Sequence, residues 1–340
     1  MQPLVLTLGE PAGIGPDLTL ATWRRRSELG LPPFYVVGDP AFLDRRARQL
    51  GLEIPIQTVT PSSAAAVFPS AIPVAGIDAT VSAEPGRPDR SSAPAAVASI
   101  RHAVSDVLAG AAAAIITNPV AKNVLYSWGF AEPGHTEFLA RLVQESTGKS
   151  FRPVMMLWSR ELAVVPVTIH LPLREIFKQL SIELVVETGR IVARDLARRF
   201  RLQHPRLAIA GLNPHAGEEG TLGEEDRAIV APAVAQLRAD GIDARGPLPA
   251  DSMFHEQARA TYDVALCMYH DQALIPIKTL AFDHAVNVTL GLPFVRTSPD
   301  HGTAFDIAGT GSADATSLIA AIRLAARLAM TESPAPLAAS

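Results

Sequence analysis

Short apolar runs alternate with amphipathic helical segments along almost the whole chain, and this alternation constrains the fold more than any other feature. Leu4–Leu8 is one such apolar run, and after a glycine-rich turn a segment with helical periodicity begins near Asp17. Strands that are separated by helices usually pair in parallel, because each helix crosses the sheet before the next strand begins. We therefore predict an α/β protein with largely parallel sheets.

The size and composition suit two globular domains. The chain has 340 residues, of which 48% are hydrophobic and 19% are charged. This balance is expected where parallel strands are buried on both faces. The formal net charge of −4 argues against binding to nucleic acid or to a membrane surface through bulk charge. An anionic ligand would therefore have to be held by local groups.

The single cysteine and the absence of targeting signals indicate the compartment. Cys267 rules out a disulfide within the chain and a zinc site made of cysteines, and its apolar surroundings predict a packing role. No basic segment precedes the first apolar run, and no apolar stretch reaches the ~18 residues that a membrane helix needs. We therefore expect a cytoplasmic protein.

The turn Gly9–Pro16 follows the first strand and precedes the first helix. A ligand loop is one interpretation, because helix N-termini attract anions, and a simple tight turn is the other. The turn lacks the dinucleotide fingerprint G-x-G-x-x-G, because its glycines stand at positions 9, 13 and 15.

Arginines cluster in Ala41–Leu50, which has the periodicity of an amphipathic helix. Arginines on such a helix usually face water. We therefore predict a helix whose arginines form a solvated face.

Three histidines stand at or just after the ends of strand-like runs. They are His170, His215 and His270, and they are far apart in the sequence. The ends of parallel strands meet at one edge of a sheet, so three imidazoles there would form a divalent-metal site with open coordination positions. The alternative is that each is a hydrogen-bonded loop residue, and nine histidines allow a coincidence. Asp251 and Asp271 are candidates for orienting the ligands or handling protons.

Groups suited to a phosphate occur near the same region and at one helix start. Arg296 offers a guanidinium fork, Lys278 a point charge after the apolar run Leu274–Ile277, and Asn287 an amide. His135 and Thr136 precede an apolar helix, where free backbone N–H groups favour anions. The tetrapeptide of residues 134–137 more commonly forms a capping box, with Thr136 as the N-cap.

The segment 301–313 has the small residues that allow a ligand to approach the backbone closely. Asp306 within it has the carboxylate needed to accept a hydrogen bond from a ribose hydroxyl.

Eight motifs together resemble one enzyme family. They are GEPAGIGPD, TNPVAK, GHTEF, TIHLPL, GLNPHAGE, GPLPAD, YHDQ and VNVTLGLPFVRTSPDHGTAFDIAGTG. The set resembles the 4-hydroxythreonine-4-phosphate dehydrogenases of pyridoxal phosphate biosynthesis, over residues 9 to about 320. The GIGP turn and the HGTAFDIAGTG loop are also similar to those of isopropylmalate and isocitrate dehydrogenases.

The resemblance implies a fold, an activity and a set of site residues. It implies two α/β/α domains with a cleft between them, of the isocitrate/isopropylmalate dehydrogenase type. It also implies NAD binding without a Rossmann fingerprint and a homodimer whose active sites share metal ligands from both subunits. The activity implied is oxidation of 4-phosphooxy-L-threonine to a 3-oxo acid, which loses CO2 to give 3-amino-2-oxopropyl phosphate.

The site residues follow from this resemblance and from the patterns above. The metal ligands are His170, His215 and His270, with zinc expected and cobalt, manganese or magnesium as alternatives. The substrate ligands are His135, Thr136, Lys278, Asn287 and Arg296. Gly13, Gly302, Thr303 and Asp306 are assigned to NAD, with NADP as the alternative. The candidates for proton transfer are Lys278, Asp251 and Asp271.

The domain boundaries and two rival functions complete the expectations. Residues 1–130 with 300–340 are expected to bind NAD, and 131–299 to bind metal and substrate and to dimerise. One rival is a related dehydrogenase of another phosphorylated hydroxy acid, such as a phosphothreonate or phosphoerythronate. The other is a non-catalytic protein that binds a phosphorylated metabolite.

Overall fold

The computed structural model describes residues 2–130, 132 and 134–331. Two compact units make up the chain. The first contains Met1–Pro153 and Leu292–Met330, and the second contains Val154–Gly291 together with Thr331. The expected boundaries lay at 130 and 300, and part of the expected segment 300–340 lies outside the described residues.

The strands of the described residues are short and mostly buried. In chain order they are β1 (Leu4–Thr7), β2 (Phe34–Gly38), β3 (Ile56–Thr58), β4 (Ile72–Gly76), β5 (Ile115–Ile116), β6 (Val154–Trp158), β7 (Ala163–Pro166), β8 (Arg206–Ala210), β9 (Asp243–Leu248), β10 (Val264–Cys267), β11 (Val286–Leu290) and β12 (Arg296–Pro299).

Helices separate most of these strands. In chain order they are α1 (Gly15–Arg24), α2 (Arg26–Leu29), α3 (Pro40–Gln49), α4 (Pro61–Val67), α5 (Ala93–Leu108), α6 (Lys122–Trp128), α7 (His135–Thr147), α8 (Leu173–Gln179), α9 (Ile182–Arg199), α10 (Ala231–Ala239), α11 (Glu256–Arg259), α12 (His270–Ala281) and α13 (Thr316–Ala329).

The described part of the first unit contains six strands in the order β3-β4-β2-β1-β5-β12, and all neighbouring strands among them are parallel. Its core joins strand residues such as Val5 to α5 and α7, which contribute Ile100 and Phe138. Because Phe138 and Leu139 are buried in this core, α7 belongs to the first unit and the boundary falls after it.

Within residues 154–291, the second unit contains six strands in the order β11-β6-β7-β10-β8-β9. β6 runs antiparallel to both β11 and β7, whereas β7, β10, β8 and β9 are parallel to one another. The prediction of an α/β fold with largely parallel sheets is therefore confirmed. The buried side chain of Cys267 packs in the core of this unit, and burial raises the pKa of its thiol.

Candidate functional site

The carboxyl ends of β7, β10 and β8 lie side by side at one edge of the second unit, because these three strands are parallel neighbours. The segments that follow them carry His170, His215 and, as the first residue of α12, His270. The topology therefore brings the three predicted loops to the same edge of the sheet, where ligands bind in open α/β sheets.

Two of the three imidazoles face each other. The ring centroids of His170 and His270 are 5.7 Å apart, with an angle of 39° between the ring planes. His270 Nδ1 lies 2.7 Å from Asp271 Oδ1, which leaves Nε2 as the nitrogen for a further ligand. A histidine held at one nitrogen by a carboxylate is a common arrangement in metal sites, since the carboxylate fixes the ring orientation.

The third imidazole lies on a strained turn. His215 has a φ of +53° in the turn Pro214–Gly220, and His170 has a φ of +50°. Left-handed backbone at residues other than glycine is uncommon and clusters at functional sites. Among residues 2–130, 132 and 134–331, no group of three His, Cys, Asp or Glu side chains lies close enough together to hold a metal ion. The three-histidine centre therefore stays a prediction.

Side-chain hydrogen bonds join the three loops to one another. Gln272 Oε1 accepts from Met268 N at 2.7 Å, and Gln272 Nε2 donates to Gly211 O at 2.7 Å. Thr168 Oγ1 donates to Met268 O at 2.7 Å. The loops of His170 and His215 are thus both tied to the loop of His270. The sequence analysis missed Gln272, although it stands inside the YHDQ motif.

A buried carboxylate supports the turn that carries His215. Asp226 accepts from Leu212 N at 2.6 Å and from Asn213 N at 3.0 Å. The turn of Ala250–Ser252, with the exposed Asp251, packs against the same turn. Asp251 therefore lies beside the backbone of the His215 loop, and its predicted proton-transfer role remains untested.

Lys278 and Asn287 lie on regular elements of the second unit. Lys278 was expected after a strand, and this is wrong: Leu274–Ile277 is part of helix α12, and Lys278 lies within the same helix. Its Nζ is 5.8 Å from the ring centroid of Phe282. Asn287 is half-buried on β11, where it pairs with Leu157 of β6.

The first unit contains a cluster of cationic and imidazole groups. Arg296 is 4% exposed and donates from Nε and Nη2 to Thr117 Oγ1 at 3.1 and 2.6 Å. Burial lowers the pKa of Arg296 to about 10, and the charge of Glu137 opposes this shift. A buried guanidinium next to the end of β5 is costly unless an anion or hydrogen bonds compensate it.

His135 begins α7, within range of the charge of this guanidinium. Burial, then the charges of Arg296 and Lys122, hold its pKa well below the usual range, so the ring is neutral. His135 is partly exposed as a whole residue, yet its Nε2 atom is buried and has no hydrogen-bond partner in the part of the chain that the structure describes. A neutral imidazole with an unused nitrogen can donate to a phosphate oxygen.

Thr136 does not cap this helix. The N-cap of α7 is Gly134, and no side-chain capping bond is found there among the described residues. The capping-box interpretation is therefore wrong. The start of a 13-residue helix keeps unused backbone N–H groups, which favour an anion.

The two glycine-bearing loops of the first unit pack against each other. Ile14 N donates to Thr303 O at 3.0 Å, and a Cβ atom on Gly13 would lie only 2.8 Å from Thr303 O. Gly13 is therefore required by close packing of the loops. Gly302 and Asp306 are both exposed, the latter in the turn Phe305–Ile307.

Arg46 supports the first glycine loop from inside the unit. It is 2% exposed, pairs with Asp17, and donates to Gly13 O at 3.2 Å and to Pro11 O at 2.8 Å. Asp17 Oδ2 in turn accepts from Gly309 N at 2.6 Å. The prediction that the arginines of this helix all face water is wrong for Arg46.

Three buried polar atoms near these loops lack partners among the residues described. They are Glu10 Oε2, Asn118 Oδ1 and His301 Nε2. Glu10 is 1% exposed, and its Oε1 accepts from Ser92 Oγ at 2.8 Å and from Ala12 N at 3.1 Å. Burial raises the pKa of this carboxyl. Unpaired buried polar atoms are rare and indicate a missing ligand or water.

Comparison with known proteins decides the family. A profile described as pyridoxal phosphate biosynthetic protein PdxA matches residues 31–325. The chain belongs to this family. The resemblance predicted from the motifs is thereby confirmed.

Relatives of the PdxA family match along almost the full chain. The 4-hydroxythreonine-4-phosphate dehydrogenase of Bradyrhizobium diazoefficiens is 63% identical over 336 residues, covering 96% of this chain and 97% of its own. The enzyme of the same name from Xanthobacter autotrophicus is 63% identical over 330 residues, covering 97% and 94%.

Solved structures agree with this assignment. The 4-hydroxythreonine-4-phosphate dehydrogenase of Klebsiella pneumoniae has a TM-score of 0.85 at 37% identity, covering 97% of this chain and all of that chain. A terephthalate 1,2-cis-dihydrodiol dehydrogenase from Burkholderia xenovorans has a TM-score of 0.63 at 29% identity, covering 96% and 98%. Over the described residues, no helix is both long enough and apolar enough to span a membrane.

Proposed function

We propose that this chain oxidises 4-phosphooxy-L-threonine with NAD and a divalent metal, giving a 3-oxo acid that decarboxylates to 3-amino-2-oxopropyl phosphate. The observation that carries the proposal is the identity of 63% over nearly the full chain to dehydrogenases named for this substrate. The groups at the strand ends and at the start of α7 support it, because they suit a metal and a phosphate.

The donor set of the second unit fits a divalent metal. His170 and His270 face each other, and the Nδ1 of His270 is engaged by Asp271. We infer that these two imidazoles and His215 hold the metal, with zinc suiting nitrogen ligands best. When bound, the metal would supply Lewis-acid polarisation of the substrate hydroxyl and of the developing enolate.

The phosphate is assigned to Arg296, His135 and Thr136, with Lys278 and Asn287 as further ligands. Arg296 is fixed by Thr117 before any ligand arrives, so little side-chain entropy is lost on binding. His135 stays neutral and can donate from Nε2 without adding charge. These groups would orient the carbinol carbon for hydride transfer.

Proton transfer has three candidates in the second unit. Asp271 forms a hydrogen bond with Nδ1 of His270 and can orient the imidazole ring. In this proposal Asp271 is therefore a positioning residue. Lys278 and Asp251 are the other two candidates for taking the hydroxyl proton. Their assignment remains open between the two.

NAD is assigned to the paired loops of the first unit. The buried Oε2 of Glu10 and Oδ1 of Asn118 are acceptors suited to amide or hydroxyl donors of a dinucleotide. Asp306 is exposed on the same unit and suits a ribose hydroxyl, with NADP as the alternative cofactor. Gly302 and Thr303 provide backbone that a ligand can approach, and Gly13 supports Thr303 by packing against it.

A homodimer is part of the proposal, with active sites that draw ligands from both subunits. Large apolar side chains of the second unit are exposed on α8, on α12 and directly after α12: Leu173, Phe177, Ile275 and Phe282. Grouped exposed apolar residues mark interaction surfaces. His170 precedes α8 and His270 begins α12, so this surface adjoins the predicted metal loops.

The proposal is tested by following reduced nicotinamide with purified protein, a series of divalent metals and three substrates. We expect reduction of NAD with 4-phosphooxy-L-threonine and much less with phosphothreonate or phosphoerythronate. A preference for either of the latter would support the rival dehydrogenase, and no reduction with any of them would support a binding protein. NADP is tested in parallel.

His270→Ala is expected to abolish turnover and to remove bound metal, because one of three imidazole ligands is lost. The matched control is His204→Ala, an exposed histidine just before the amino end of β8, whereas the predicted ligands follow the carboxyl ends of the strands. Metal content after dialysis, measured by atomic emission, distinguishes loss of the ligand from loss of folding. Full metal occupancy in His270→Ala would contradict the assignment.

A further inference from the structure

A lysine outside the predicted substrate set adjoins the start of α7. Lys122 begins α6, directly after the segment that follows β5. A Cβ atom placed on Gly134 would lie 2.6 Å from Glu137 Oε2 and 3.7 Å from Lys122 Nζ. The ammonium and the carboxylate therefore both approach Gly134 at the N-terminus of this helix.

The charges in this place do not balance. The positive charges of Arg296 and Lys122 both act on His135, and the negative charge of Glu137 acts on Arg296. Lys122 forms no hydrogen bond or ion pair with any other residue of the described ranges. Together with the unused Nε2 of His135, this leaves a built but incompletely neutralised anion site.

We propose that Lys122 binds the substrate phosphate together with Arg296 and His135, and that Glu137 serves as a counter-ion there until the phosphate arrives. The identity of the substrate rests on the proposed function, but the binding of an anion does not. A phosphate dianion carries two charges, so a second cation favours it over a carboxylate or another monoanion.

Removing the charge of Glu137 should change the affinity for phosphate in the opposite direction to removing Lys122. Its carboxylate lies on the same site and would repel an incoming phosphate, so it must move away or be compensated when the phosphate binds. Removing its charge should therefore strengthen phosphate binding. A purely structural role for Lys122 predicts no such strengthening.

The test measures binding of inorganic phosphate to the purified protein by phosphorus NMR and by calorimetry, without turnover. Lys122→Met should weaken binding roughly 10- to 100-fold, as expected when a charge-assisted hydrogen bond is lost. Lys122→Arg should retain most of it. Lys149→Met is the matched control in the same unit, because Lys149 is exposed and lies beyond the far end of α7, and it should bind like the wild type.

Glu137→Gln should bind phosphate about 2- to 10-fold more tightly, because a nearby like charge has been removed. This variant keeps the inference testable if Lys122→Met does not fold. Phosphate binding by Lys122→Met that equals the wild type would overturn the inference, as would an unchanged affinity in Glu137→Gln. So would a wild type that binds no phosphate.

The dehydrogenase assay separates this inference from the proposed function. Lys122→Met should raise KM for 4-phosphooxy-L-threonine by a similar factor while kcat changes little, since the lysine contacts the non-reacting phosphate. If the wild type binds phosphate through Lys122 but reduces no NAD with this substrate, the proposed function fails and the anion site stands.

Discussion

At the scale of single residues, backbone strain and unpaired atoms mark the same regions as the motifs. His170 and His215 adopt left-handed backbone without being glycine, and both belong to the predicted metal ligands. Strain of this kind costs of order 1–3 kcal/mol per residue and persists where the surroundings enforce it. Gln272 and Asp226 provide that enforcement through hydrogen bonds.

Glu10 leads to a prediction about pH. Burial raises the pKa of its carboxyl in the folded protein above the unfolded value. The protonated form is therefore preferred in the folded state, so the contribution of Glu10 to stability is complete at acid pH and is lost as pH rises through the raised pKa. Glu10→Gln, which cannot ionise, should gain stability relative to the wild type as pH increases.

The measurement is the difference in Tm between Glu10→Gln and the wild type from about pH 4, near the unfolded pKa of Glu, to about pH 8. The exposed Glu53 provides the control, and Glu53→Gln should show no such trend. A difference that is constant with pH would show that folding does not raise the pKa of Glu10.

At the scale of elements, helix α3 supports the glycine loop through one buried side chain. Arg46 joins Asp17 to the carbonyls of Pro11 and Gly13, and Asp17 also holds Gly309 N. The two loops assigned to NAD are therefore held by a single ion pair in the interior of the first unit. The rest of α3 behaves as its periodicity predicts.

Arg46→Met is expected to lower the free energy of unfolding by about 3–5 kcal/mol, because it leaves the carboxylate of Asp17 buried without its partner. Arg48→Met in the same helix is the control. Arg48 pairs with Asp44 at the surface, so its loss should cost about 0–1 kcal/mol. Chemical denaturation followed by fluorescence compares the two, and equal values would contradict the interior role of Arg46.

At the scale of the whole molecule, the proposed homodimer with shared active sites can be tested by mixing inactive variants. Arg296→Ala and His270→Ala each remove a residue of the proposed site, one from each compact unit. If a site takes these two residues from different subunits, a dimer of the two variants has one intact site. Equal amounts that exchange subunits at random should regain about a quarter of wild-type activity, since half of the dimers are mixed and each has one site of two.

The readout is activity after the two variants are unfolded and refolded together, compared with each variant refolded alone. Sedimentation or light scattering checks that the mixture is dimeric. If activity does not return although mixed dimers form, each site is built from one subunit. Ile275→Asp on the exposed surface of α12 should give a monomer by the same sizing measurement.

The sequence predicted a structural feature well where residues close together in the chain are sufficient to determine it. β1 was predicted to within one residue, because Leu4–Leu8 is an apolar run that ends at a glycine-rich turn and the observed strand is Leu4–Thr7. Lys278 was misplaced because a short apolar run, Leu274–Ile277, has the same composition in a buried strand and in a buried helix face. Arg46 was misplaced because periodicity describes one helix and cannot show which partner an arginine meets.

The order of apolar and helical segments determined by itself that the sheets are largely parallel and that His170, His215 and His270 follow strand ends. Those features depend on neighbours along the chain, and the motifs sufficed to identify the family. The tertiary structure decided that β7, β10 and β8 are adjacent, that Gln272 ties their loops together, and that Arg296, His135 and Lys122 converge. Such contacts join residues far apart in sequence, and they arise only when packing brings their elements together.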